Sequence, residues 1–217
     1  MIDERTFFTN HFDSDRISDE NMQRYSEAHM HLLATNDPEG RYCTMLEEIT
    51  EAHAAYYGST IDEIVKEAVK QGSTRRKDAV FGRFQELVRR GEGLVRAHYG
   101  KGSAEYEEFF PYGLTEYNRA TMANVGPLMA RMVTAGAKHR VVLGKDFVKE
   151  FEEIQSEFTD TRREQMDTKG AVTESKADTA ATRDVLEAQL MKNLLLIAAD
   201  NMGHPERASQ FFDLSIL

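Results

Sequence analysis

At 217 residues the chain is long enough to bury one large core or two of about 100 residues each. A hydrophobic content of 41% with 29% charged residues excludes a disordered chain, and a formal net charge of −10 argues against nucleic acid, whose phosphates need a positive surface. With only 4 prolines, no tryptophan and one cysteine, Cys43, the composition favours helix over sheet and excludes an intrachain disulfide.

The chain starts acidic, at Met1-Ile2-Asp3-Glu4-Arg5, without the basic-then-apolar pattern of a secretory signal. No apolar run approaches the roughly 18 residues of a membrane span. The expectation is a cytoplasmic protein with no membrane partner.

Ser18 is placed to cap a first helix, with Asp19 and Glu20 suited to its dipole. Met22, Tyr25, His29, Leu32 and Leu33 follow at spacings of three and four, which puts them on one face. Asn36-Asp37-Pro38 stops that helix. A second helix is expected from Pro38 to Gln71, carrying Tyr42, Met45, Leu46, Ile49, His53, Tyr56 and Tyr57, tolerating Gly58 and closed by Gly72. A third begins near Ser73 or Thr74 and presents Val80, Phe81, Phe84, Leu87, Val88, Leu94 and Val95, with Gly91 and Gly93 suggesting close helix packing. Ser103 to Glu108 leads into Phe109-Phe110.

The order then repeats. Helices are expected over Thr115 to Ala135, Lys138 to Lys169 and Ser175 to Asn201, and Pro205 opens a short last turn before Phe211. The small polar residues between Asp167 and Ala181 predict a mobile connector.

Three Phe-Phe pairs, Phe7-Phe8, Phe109-Phe110 and Phe211-Phe212, stand 102 residues apart. The same offset aligns Leu94 with Leu196, Val95 with Ile197 and Ala97 with Ala199. Fixed self-similarity is the signature of a repeat. The chain therefore divides into an N-terminal extension (1–6), repeat unit one (7–108), repeat unit two (109–210) and an apolar C-terminal tail (211–217). The predicted fold is all-α: an internally duplicated up-down helical bundle of two three-helix units with long second and third helices.

Chemistry is sparse. Neither the Glu-x-x-His of di-iron bundles nor the His-Glu-x-x-His of zinc proteases occurs. His29, His53 and His98 fall on apolar helix faces of unit one and form the sharpest metal candidate, against the plainer reading of buried histidines hydrogen-bonded to backbone or carboxylate. Cys43 lies near a helix start, where a thiol pKa can fall, but no partner is placed to activate it. Arg75-Arg76-Lys77 and Arg89-Arg90 read as charges paired with neighbouring acids rather than as an anion site. Met122, Met129 and Met132 read as core.

Two candidate functions emerge. The first is a non-catalytic helical interaction or scaffold protein without a cofactor, self-associating or bound to a protein partner through Phe109, Phe110, Phe211, Phe212, Leu214, Ile216 and Leu217. The second is a small-molecule or metal-binding bundle, an enzyme in one form of the idea, with a pocket lined by His29, His53, His98, Tyr25 and Tyr56.

Overall fold

A serine oxygen starts the first helix, as its sequence predicts. In the computed structural model, which describes residues 9–14 and 16–216, Ser18 Oγ accepts from the Asn21 N–H at 3.2 Å and opens α1 (Asp19–Asn36). The Phe7-Phe8 pair and Leu217 lie outside the described residues. Asp37 ends α1 and holds the turn after it, its carboxylate accepting from the backbone N–H of Arg41 at 3.0 Å and of Tyr42 at 2.6 Å.

The next helix, α2 (Cys43–Tyr99), runs 57 residues without a break. The expected stop at Gly72 does not occur. One interior glycine costs a helix about 1 kcal/mol, and no proline stands between Pro38 and Pro111 to enforce a stop. Ser73, expected to open a new helix, instead turns its hydroxyl back onto the Lys70 carbonyl at 2.9 Å and meets Thr168 Oγ1 at 2.9 Å.

Short elements come next: α3 (Ala104–Phe109), α4 (Thr115–Asn118), α5 (Val125–Lys138) and α6 (Arg140–Leu143). The helix expected over Thr115 to Ala135 is thus two, because Pro127 sits in the first turn of α5, where its ring tolerates no helix upstream. Gly144, at φ 89°, makes the turn into α7 (Lys145–Asp200), which runs 56 residues straight through Gly170 and the stretch expected to be a mobile connector. Val172, Ser175 and Thr179 in that stretch are buried. A short α8 (Pro205–Ala208) and a 3-10 turn (Ser209–Phe211) complete the chain. All regular structure among the described residues is helical, so the all-α expectation holds.

Two compact units form. The first comprises Met1–Glu67 with Ala171–Leu217, the second Ala68–Gly170. These boundaries differ from the break between residues 108 and 109 read from the sequence: each long helix contributes one half to each unit.

In the first unit, Met22, Tyr25, Ile49, Tyr56, Leu190, Ile197, Phe211 and Phe212 form the centre of the core. The second is denser in aromatics, with Phe84, Phe109, Phe110, Tyr117, Phe147, Phe151 and Phe158 around Met129 and Met132. There Gly91 permits a close approach, since a Cβ on it would lie 3.2 Å from Phe147 and 3.3 Å from Phe151. Gly93 makes no such contact; a Cβ there would meet nothing within 4 Å.

Candidate functional site

The candidate residues resolve into structural ties and one unexplained surface. His29 on α1 is fully buried. Its Nδ1 lies 2.8 Å from the Phe211 carbonyl, which can only accept, so that nitrogen carries the proton. Burial lowers the His29 pKa and keeps the ring neutral, leaving Nε2 to accept from Asn193 Nδ2 at 3.1 Å. The ring also stacks on Phe212, with centroids 4.6 Å apart and planes 10° from parallel. Asn193 Oδ1 accepts from Gln189, which also donates to Glu48. Every polar atom of His29 is thus satisfied.

His53 on α2 serves a different group. Its Nδ1 shares a 2.8 Å hydrogen bond with Ser26 Oγ, which also lies 2.9 Å from the carbonyls of Met22 and of Gln23. Glu27 stands 3.7 Å from the other ring nitrogen, and desolvation lowers the His53 pKa. His98 is exposed and belongs to the other unit. The three histidines do not form one cluster. Among the described residues no three His, Cys, Asp or Glu side chains are arranged to hold a metal ion.

The tyrosines of the candidate pocket are core. Tyr56 Oη donates to Asp19 Oδ1 at 2.8 Å, while the Tyr25 hydroxyl is buried with no hydrogen-bond partner among the described residues. Desolvation raises the pKa of both. Arg183 ties the same end of the unit, donating to Glu187 at 2.7 Å, to the Ile17 carbonyl at 2.7 Å and to Asp19.

The remaining candidates are quickly placed. Phe109, Phe110, Phe211 and Phe212 are buried in the chain's own cores and Ile216 packs against the first, so their apolar area is already covered; Leu214 is exposed. Cys43 is a free, exposed thiol. Three arginines of α2 pair with acids of α7 in the second unit: Arg76 with Glu164, Arg83 with Glu157 and Arg90 with Glu150; Lys77 pairs with Asp78 and Arg89 donates to Asn118. Met129 and Met132 lie in the core, with Met122 partly buried against it.

What sequence periodicity missed is on α2 within the first unit. Extending the packed face of Ile49, Ala52 and Tyr56 at the same spacing reaches Ser59, Glu63 and Lys66. That face packs through polar contacts: Ser59 Oγ with Thr182 Oγ1 at 2.7 Å, the Ser59 carbonyl with Thr179 Oγ1 at 3.3 Å, and Ser175 Oγ to Asp62 at 3.0 Å. The apolar residues are displaced outward, with Tyr57 46%, Ile61 46%, Ile64 65% and Val65 54% exposed. Over this stretch the helix is polar within and apolar without. The sequence signal was the shift of phase at Tyr56-Tyr57, where the apolar spacing slips by one residue.

Compared with family models, with curated proteins and with solved structures, the chain matches none. No helix among the described residues is long and apolar enough to cross a membrane.

Proposed function

We propose that the chain is a non-catalytic helical interaction protein, built by internal duplication as an up-down bundle, whose working surface is the outward face of α2 from Ala54 to Val65. The observation that carries this reading is the inverted patterning of that stretch. Burying apolar side chains is the main favourable term in folding, yet here large aliphatic groups face solvent while serines and threonines occupy the packed side. A contiguous apolar face of this kind marks an interaction site.

Duplication is supported by the register of the two long helices. Cys43 and Lys145, their first residues, stand 102 positions apart, as do the buried pairs Ile49 and Phe151, Ala52 and Ile154, Tyr56 and Phe158, Ser73 and Ser175, and Val95 and Ile197. The same offset relates Phe109-Phe110 to Phe211-Phe212.

What covers the surface is a helix, of a second copy or of another protein, because Tyr57, Ile61 and Ile64 recur at the four-then-three spacing of a helix–helix seam. Native mass spectrometry of the wild type and of a Tyr57→Thr/Ile61→Gln variant tests the reading. The expected result is a wild-type assembly, with itself or a co-purified protein, that the variant loses. A bare chain carrying a small extra mass released on denaturation would replace this reading with that of a ligand-binding bundle.

A further inference from the structure

Resting on that interaction reading, we propose that the α2 face of Tyr57, Ile61, Ile64 and Val65 docks a basic amphipathic helix from a different protein. Three observations select this occupant.

The first is an internal control. At the positions 102 residues further on, α7 carries Thr159, Arg163, Met166 and Asp167, all exposed. Residues on the packed sides at this register, Tyr56 and Phe158 among them, are buried in both helices. Apart from Met166, which matches Ile64, the same helical setting therefore accepts a polar outer face in one place and presents an apolar one in the other. Folding does not ask for Ile61 or Val65 to be apolar. Gly58, at the edge of the face, fits the same account: a Cβ there would meet nothing within 4 Å, so no contact within the chain requires its absence. A glycine on a seam lets a second helix come close.

The second is charge. From Glu47 to Glu67, α2 carries six acidic residues and one lysine, Lys66, which pairs with Asp62 at 2.7 Å. Helical geometry sets Glu47 at the N-terminal end of the face and Glu51 and Asp62 along one edge. Of these, Glu47 and Glu51 have no ion-pair partner among the described residues. A helix with lysines or arginines beside its apolar stripe matches this border, and opposite charges flanking a seam set partner choice. A second copy would bring the same acidic border, on a chain whose net charge is −10.

The third is size. The face covers some twelve residues of one helix, about 18 Å in length. That length suits a single docked helix.

The test uses the full chain and two labelled synthetic helices of about 18 residues. Both carry leucine at the heptad seam; one has lysine at the flanking positions and the other glutamate. Fluorescence anisotropy is expected to show saturable binding of the lysine helix and at least about tenfold weaker binding of the glutamate helix. The charge-neutral Tyr57→Thr/Ile61→Gln variant should weaken the lysine helix by at least about tenfold while its circular-dichroism melt is unchanged. Glu47→Gln/Glu51→Gln should narrow the preference between the two helices.

Equal binding of both helices would overturn the basic partner and leave the interaction reading standing. Lysine-helix binding that ignores the Tyr57/Ile61 variant would expose plain charge attraction and also overturn the proposal. A wild-type dimer dissolved by that variant would make a second copy the occupant. A wild-type monomer that binds neither helix would overturn the proposal and the interaction reading together.

Discussion

Each unit fastens a Phe-Phe pair by the carbonyl of its first phenylalanine, and the two units do it with different chemistry. In the second unit Tyr117 Oη donates to the Phe109 carbonyl at 2.7 Å and its ring meets Phe110 edge-on, with centroids 5.4 Å apart. In the first, His29 Nδ1 donates to the Phe211 carbonyl at 2.8 Å and its ring stacks on Phe212. Burial acts on the two donors in opposite directions. It pushes the Tyr117 hydroxyl up to about 12, out of any physiological range, and lowers the His29 imidazole below its ordinary value of about 6.5. One fastening is indifferent to pH and the other is not.

The comparison can be broken most severely by removing the fastened rings. Phe109→Ala and Phe211→Ala should each cost about 3–5 kcal/mol, the usual range for a buried phenylalanine. Hydrogen exchange read by mass spectrometry should show the loss in the second unit for the former and in the first unit for the latter. Exchange rising equally in both units would mean that the two cores do not respond separately.

Removing a donor gives the next effect. Tyr117→Phe leaves the buried Phe109 carbonyl unpaired and should cost about 1–3 kcal/mol. Chemical denaturation should return the same cost at pH 5 and at pH 8, because nothing in that fastening titrates between them.

The pH response itself is next in size. The folded-state pKa of His29 lies below its unfolded value, so its contribution is complete above about pH 6.5 and is lost as pH falls toward the folded value. Each unit of separation is worth about 1.4 kcal/mol. Exchange protection in the first unit should therefore decline from pH 7 to pH 5 while that of the second does not decline through Tyr117. His29→Gln should flatten the decline, and the part that remains should follow His53, whose pKa is lowered by desolvation as well. An undiminished decline in the variant would remove His29 from the account.

The smallest change sharpens the contrast from the other side. The Tyr25 hydroxyl is buried in the first unit without a partner among the described residues. Tyr25→Phe removes a polar atom that gains nothing from burial, so thermal melts should show a variant equal to the wild type or up to about 1 kcal/mol more stable.

How much of this could be read from residues alone depends on what each signal measures. The helical character and the cap at Ser18 were legible, because composition and capping report on them directly; Phe109, Phe110, Phe211 and Phe212, read as interaction residues, instead lie buried in the chain's own cores. Gly72 was misread as an end, and the stretch around Gly170 as a connector. A glycine lowers helix propensity by a fixed, modest amount, whereas the contacts that carry the helix across it are tertiary: Ser73 with Thr168, and Gln165 Nε2 donating to Thr74 Oγ1 at 3.1 Å. His29, His53 and His98 share apolar-face spacing, but spacing along one helix does not say which other helix each face will meet. His29 met Phe211, 182 residues away in sequence. The outward face of α2 was hidden for the opposite reason, since periodicity assumes that the apolar side is the packed one.

The division of the long helices also sets a timetable for synthesis. The second unit is one continuous run, Ala68–Gly170, so all of its residues leave the ribosome before the first unit is whole. Residues up to Glu67 must wait for Ala171 onward, and for Phe211 and Phe212 later still. At about 5–20 residues per second, that wait is on the order of ten seconds. During it, Met22, Tyr25, Ile49 and Tyr56 lack the α7 half and the Phe-Phe pair that complete their core, so the unit begun first is the last to be finished.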